Sequence, residues 1–288
     1  MVKKLTTLML ILAIITALPV SASAFSEEEE DAAVSEAGQA AIAACIDESM
    51  TDLEKLTALH DWMCLNVDYG LTPRAETVYG ALVQGKAVCV GYAAAYAYLA
   101  GLAGLEGTYT YSVSMDHAWI LATLDGERYF SDCTWDDGKY QKLGLIRHAY
   151  WLFDESNAIQ TNHYGWDSAE SVPGGALEAA PWHDAVSRVI FSGDWAYYID
   201  GDFCLWRCDR GTWETEPLLR LDVRWPDTDP TDGQEPELYT GLILLDERLY
   251  FNTPYAICSV DLEGGAWETV LAPEPSDRLI YEIGRAHV

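Results

Sequence analysis

The sequence predicts an α+β domain followed by an all-β repeat region, and three observations carry that prediction. Apolar residues recur at helical spacing up to about residue 107. From Thr108 the pattern alternates as strands and turns do. Beyond a linker, a strand-rich segment starting at residue 187 returns 53 positions later.

The N-terminus reads as a secretory signal peptide over residues 1–24. Lys3 and Lys4 precede an apolar run over 5–18, and Ala22, Ser23 and Ala24 supply the small residues of a cleavage site. The run falls short of the roughly 20 residues of a membrane span. The mature chain is therefore expected to be secreted or at the cell surface, with no membrane span. Residues 25–50 form an acidic segment, in which "SEEEED" is a solvated start, leading into a helix over 31–45.

The formal charge is −29, and losing Lys3 and Lys4 with the signal leaves about −31. Such a surface repels phosphate backbones and excludes nucleic acid as a partner class. An apolar share of 50% with 17 tyrosines excludes a disordered chain.

"TDLEKLTALHDWMCLNVDYG" is the best-formed helix. Thr51 and Glu54 make a capping box, and Leu53, Leu56, Leu59, Met63 and Val67 follow helical spacing. His60, beside that stripe, is expected as a packed histidine. A helix begins near Glu76, and another carries "GYAAAYAYLAG" after Cys89. A cysteine at a helix N-terminus meets unpaired amides and the positive end of the dipole, which favour the nucleophilic thiolate. An inert buried cysteine is the alternative for this segment taken alone.

"HAWILATLDGERYFSDCTW" alternates around Asp125-Gly126, a two-residue hairpin signal. Pairing Leu124 with Glu127 sets Trp119 against Asp132 and Ala118 against Cys133. His117, Trp119 and Asp132 then share one face, with His117 and Asp132 as diagonal neighbours within side-chain reach. Cys133 points to the other face. An aspartate beside an imidazole fixes its tautomer and stabilises the imidazolium, which in turn lowers a nearby thiol's pKa. Spacing alone does not bring Cys89 to this pair.

Seven cysteines make an odd number for a secreted chain, so at least one thiol stays free or pairs between chains. Cys204 and Cys208 have each other or Cys258 as partners, and the sequence leaves the choice open. With no C-x-x-C pair, a structural zinc site is not expected. His148 and His163 have no metal-ligand spacing with Cys89 and His117, so neither a metal nor any other cofactor is predicted. Trp135, with Tyr92 and Tyr96, is assigned to the core.

Residues 169–185 are rich in Gly, Pro and Ala and read as a linker. Over 186–281 the chain repeats: "SRVIFSGDWAYY" overlies "TGLILLDERLYF", "WET" recurs at Trp213 and Trp267, and "LWRCD" matches "ICSVD" within one residue of the same shift. The period suggests blades of a β-propeller or a related array, yet two copies are too few to close a propeller of about four to eight blades. The acidic stretch 225–237 is expected as an inter-strand loop. Residues 282–288, "EIGRAHV", resemble the in-frame translation of a sequencing adapter, so the repeat region is expected to be truncated.

Four blocks together resemble the bacterial transglutaminase-like superfamily: "LTALHDWMCLNVDYG", "VYGALVQGKAVCVGYAAAYAYLAGLAG", "HAWILATLDGERYFSDCTWDDG" and "HAYWLFDESNAIQTNH". The resemblance covers residues 51–168 and implies a papain-like core. It also implies Cys89 as nucleophile, His117 as base and Asp132 as the orienting carboxylate of a cysteine acyltransferase or protease. Two positions depart from the family pattern: Ile120 stands where asparagine is usual, and Arg128 where tryptophan often is. For the oxyanion hole and cleft, the Cys89 amide is one donor, with Gln84, Tyr92, Trp119 and Trp62 as further candidates. The function expected is acyl transfer on peptide or protein amides through a thioester, with hydrolysis favoured over crosslinking. The alternative is a non-catalytic cell-surface or peptide-binding module whose β-repeats contact cell-surface components.

Overall fold

Ser26 and Thr51 start the first two helices in the same way. In the computed structural model, which describes residues 26–137, 146–158, 162–167, 172–173, 175, 177, 180–221, 241–253 and 256–272, each closes a capping box with a glutamate three residues on. Helix α1 (Glu27–Cys45) therefore begins inside the acidic run, earlier than expected. Its four leading glutamates sit where the dipole and free amides favour negative charge. The signal segment and "EIGRAHV" lie outside the described residues, as does 225–237.

Helix α2 (Asp52–Asn66) buries Leu56, Leu59 and Met63, and Val67 follows at its C-cap. The two-residue strand β1 (Asp68–Tyr69) pairs in parallel with β2 (Lys86–Ala87), and the short helix α3 (Val78–Leu82) lies between them. Helix α4 (Cys89–Leu102) is the central element, with Tyr92, Ala95, Tyr96, Leu99 and Ala100 all at most 1% exposed. Its small residues admit neighbours closely. At Gly91, a Cβ would lie 2.2 Å from the Ala75 carbonyl oxygen, so any side chain there would displace the start of the helix.

Strands β3 (Gly107–Ser112), β4 (His117–Leu124) and β5 (Glu127–Ser131) form an antiparallel sheet with β4 in the middle. Asp125 and Gly126 both have positive φ, as a type I′ turn demands, and Leu124 pairs with Glu127. The register holds to Ile120 opposite Ser131. There the pairing ends, because Asp132 turns the chain into the four-residue helix α5 (Cys133–Asp136) and caps it. Asp132 N–H donates instead to the Tyr150 carbonyl at 2.7 Å. Helix α6 (Glu155–Ala158) follows.

Among the described residues, the C-terminal region holds two four-stranded antiparallel sheets. One contains β6 (Ile190–Ser192), β7 (Trp195–Ile199), β8 (Cys204–Asp209) and β9 (Thr215–Arg220) in sequence order. The other contains β10 (Leu242–Leu245), β11 (Arg248–Asn252), β12 (Ile257–Asp261) and β13 (Glu268–Leu271), again in order. Strands β7, β8 and β9 begin 53 residues before β11, β12 and β13, so the sequence repeat is a repeat of meanders. The bulge in the last strand pair recurs at nearly the same place, beside Leu205–Trp206 and Ile257–Cys258. The two sheets share a core of Tyr197, Ile199, Leu205, Leu249, Phe251 and Val260. Burying each such side chain contributes about 1.5–3 kcal/mol.

The first sheet also packs on the helical part. Trp182, fully buried in a 3-10 turn (Pro181–Asp184) within the predicted linker, contacts Trp151 and Trp213, each at 4.9 Å between ring centroids. Arg210 adds bonds to Glu54 (2.8 Å) and Thr51 (3.3 Å) at the head of α2.

Candidate active site

Cys89 is the first residue of α4, so its amide belongs to the first helical turn, whose N–H groups have no acceptor within the helix. His117 begins β4, which packs on α4, and Asp132 follows β5. The turn Ser114–Asp116, with Asp116 at φ 52°, returns the chain so that His117 faces the helix start.

His117 and Asp132 are joined directly, and both are held by their surroundings. His117 Nε2 lies 2.7 Å from Asp132 Oδ2. The other ring nitrogen remains for Cys89, whose thiol is influenced by His117 first and then by the Ala118 and Val90 amides. Asp132 Oδ1 is held by the Thr134 and Trp135 amides at 2.9 and 3.3 Å. The imidazole stacks on Trp135 (5.0 Å, 19°) and on Trp119 (5.8 Å, 29°), which fixes its plane.

The electrostatics follow from the contacts. Burial opposes the Cys89 thiolate, yet His117 and the two amides outweigh it and lower the thiol below its usual value. Burial also opposes the His117 imidazolium, but Asp132 and Cys89 lift it to about 9. Asp132, 1% exposed, is held below the normal carboxylate range because His117 and His163 overcome its desolvation. Each group thus favours the charge of its neighbour, Cys89 lowered, His117 raised and Asp132 lowered, a pattern that suits nucleophilic acyl transfer.

His163 is the residue that spacing missed. Its Nε2 lies 3.1 Å from the same Asp132 Oδ2, and its ring sits between Trp135 (4.4 Å), Phe153 (4.8 Å) and Trp119 (4.9 Å). Its place in the fourth block was the available signal; nothing in its spacing tied it to Asp132. Nitrogens of His117 and His163 and an oxygen of Asp132 lie within 4.8 Å of one another, a grouping able to hold a cation. Both imidazoles address one carboxylate oxygen, which suits a hydrogen-bonded triad.

The remaining cleft candidates have other contacts. Gln84 is exposed and accepts from Thr72 Oγ1 at 3.0 Å. The Tyr92 hydroxyl sits between the Val67 carbonyl and the Asp137 carboxylate, so its single proton is committed there. Trp119 is 1% exposed and packs edge-on to Phe130 rather than lining an open surface. Trp62 is half-buried on α2, where its carbonyl accepts from Asn66 at 2.8 Å. Ile120, at a departure from the family pattern, is buried in the core, and half-buried Arg128 pairs with Thr123 on the hairpin.

The site thus sets a thiol at a helix start near an imidazole from the first residue of β4 and a carboxylate from the turn after β5. Residues 40–135 match the family model of the transglutaminase-like superfamily. Human kyphoscoliosis peptidase is 29% identical over 113 residues, covering 32% of this chain and 17% of that protein. The chain thus spans less than a fifth of that relative. Two solved structures resemble parts of the chain. One is a TGase, 15% identical, covering 40% of this chain and 35% of its own, with a TM-score of 0.32. The other is a protein from Cytophaga hutchinsonii assigned provisionally to the cysteine proteases, 19% identical, covering 35% and 37%, with a TM-score of 0.30.

Proposed function

We propose that the transglutaminase-like domain catalyses cysteine-dependent acyl transfer on peptide or protein amides, with Cys89 as nucleophile, His117 as base and acid, and Asp132 as the orienting carboxylate. The observation that carries this reading is the buried His117–Asp132 bond of 2.7 Å, with Cys89 at the start of α4 near enough for His117 to lower its thiol. The Cys89 thiolate attacks the amide carbonyl, and His117 gives its proton to the leaving amine. Water, deprotonated by His117, then cleaves the thioester. The amide of Cys89 is offered to the oxyanion. His163 is a positioning residue that keeps Asp132 aimed at His117.

Hydrolysis is favoured over crosslinking, since water takes the thioester unless the cleft excludes it. Exposed Tyr69 and Tyr111 suit contacts with an extended peptide; burial and then the nearby Cys89 thiolate raise Tyr69. Secretion is part of the proposal and rests on the N-terminal signal pattern. The two repeated meanders are read as consecutive propeller blades that present or bind. A non-catalytic peptide-binding module is the second reading, supported by Cys89 being only 9% exposed.

Iodoacetamide alkylation of Cys89 between pH 4 and 9 tests the proposal, alongside His117→Ala and Cys89→Ala. An ion-paired thiol reacts well below the ~8.5 of a free cysteine and loses that acid-side reactivity in His117→Ala. Slow reaction confined to alkaline pH and indifferent to His117 would sink the enzyme reading in favour of the binding module.

A further inference from the structure

A second cluster of histidine, carboxylate and sulfur lies behind the Asp132 turn, and the mechanism uses none of it. His60 and Cys64 stand one turn apart on α2, and Cys133 and Asp136 stand three residues apart on α5. All four are at most 3% exposed. His60 Nε2 lies 3.1 Å from Asp136 Oδ2 and 3.8 Å from Cys64 Sγ. The His60 ring nitrogen and the Cys64 and Cys133 sulfurs lie within 4.8 Å of one another.

The spacing of these three atoms suits a tetrahedral ion; the Asp136 carboxylate, beside His60, lies outside the group and reaches the fourth position by turning. Ligands bonded to zinc at about 2.0–2.3 Å stand about 3.3–3.8 Å apart along the tetrahedron's edges. The surroundings also suit one. His60 Nδ1 faces Asp61 Oδ1 at 3.2 Å, and that oxygen in turn meets His148 Nε2 at 2.9 Å. A carboxylate on one imidazole nitrogen fixes the tautomer and turns the other nitrogen outward as a ligand, the arrangement typical behind metal-bound histidines. The Tyr150 N–H, at 3.2 and 3.1 Å from the two oxygens, holds the Asp136 carboxylate.

We propose that His60, Cys64 and Cys133, with the Asp136 carboxylate turning in as the fourth ligand, form a closed, structural zinc site that ties α2 to the turn carrying Asp132. Two thiolates, one carboxylate and one neutral imidazole are a donor set that zinc prefers, and four protein ligands leave no open position for chemistry. Binding releases the Cys64 and Cys133 protons to solvent, and His60 keeps its proton on Nδ1 toward Asp61. The site is separate from the acyl-transfer proposal, so Cys89→Ala leaves it intact.

The full chain, purified under reducing conditions without chelator, is analysed for metal and then reconstituted with Co(II). Stoichiometric zinc is expected in the wild type and in Cys89→Ala. The cobalt form should show an intense thiolate-to-metal absorption, weakened in Cys64→Ser and lost in the Cys64→Ser/Cys133→Ser double variant. A chelator should lower the melting temperature of both wild type and Cys89→Ala. The wild-type and Cys89→Ala spectra decide the matter even where the serine variants fail to fold. Metal-free wild type that ignores cobalt and chelator overturns the proposal. So does a cobalt band that disappears with Cys89→Ala, or a Cys64–Cys133 disulfide found by non-reducing peptide mapping.

Discussion

Two clusters flank the turn after β5, and each contains histidines, carboxylates and cysteine. In one, His117 and His163 address Asp132 beside Cys89. In the other, His60 bridges Asp61 and Asp136, and His148 joins Asp61, beside Cys64 and Cys133. The composition is nearly the same, yet the sulfurs diverge. Cys89 is lowered despite its burial because His117 and the Ala118 and Val90 amides favour its charged form. Cys64 is fully enclosed, and burial raises it well above the usual thiol range. Burial likewise raises Cys133. Reactivity is thus set by the donors around a thiol and its access to a substrate, while the residue types nearby are a poor guide.

That contrast can be broken most severely at the nucleophile. Cys89→Ala should abolish acyl transfer, a loss of roughly 10⁶-fold by analogy with removing any nucleophile, while the melting temperature stays near wild type; peptide turnover and a thermal melt measure both. Asp132→Asn should reduce turnover by about 10²–10⁴-fold and weaken the acid-side reactivity of Cys89. In the other cluster the expected damage is to stability. His60→Ala leaves Asp61 and Asp136 as buried carboxylates without their shared partner and should cost about 3–5 kcal/mol, read as a lower urea midpoint.

Smaller effects sharpen the comparison. His163→Gln should lower kcat about tenfold, the scale of one hydrogen bond to a charged group, with KM unchanged; an equal change in both would make its role merely structural. Stability should also respond to pH through His117. Its pKa is raised from 6.5 to about 9, so its ion pair stabilises fully below pH 6.5 and progressively less as the pH rises through about 9. Urea midpoints across that range should fall in the wild type and flatten in His117→Ala. Arg210→Ala, outside both clusters, should cost no more than about 1 kcal/mol.

Much of the local structure was legible. The capping residue Thr51, the apolar stripe of α2 and the Asp125-Gly126 turn act within a few residues, and each appears where its chemistry demands. The hairpin register followed from its turn, although Asp132 left the strand to cap α5. The repeat announced two meanders because paired strands with the same turns recur. The zinc proposal, by contrast, reverses an expectation from spacing. No C-x-x-C pair exists, since its four donors come from two helices far apart in sequence.

The sequence by itself determined where helices begin, how the hairpin turns, which faces are apolar and that the β-region repeats. These depend on short-range sterics, capping and periodicity, which neighbouring residues encode. Only the tertiary structure decided that Cys89 meets His117, that His163 shares Asp132, and that Cys64 meets Cys133. Those contacts arise where α4 packs on the sheet and α2 on the turn after it. Such packing depends on how whole surfaces fit, including the close approach that Gly91 permits, and no local pattern along the chain specifies it.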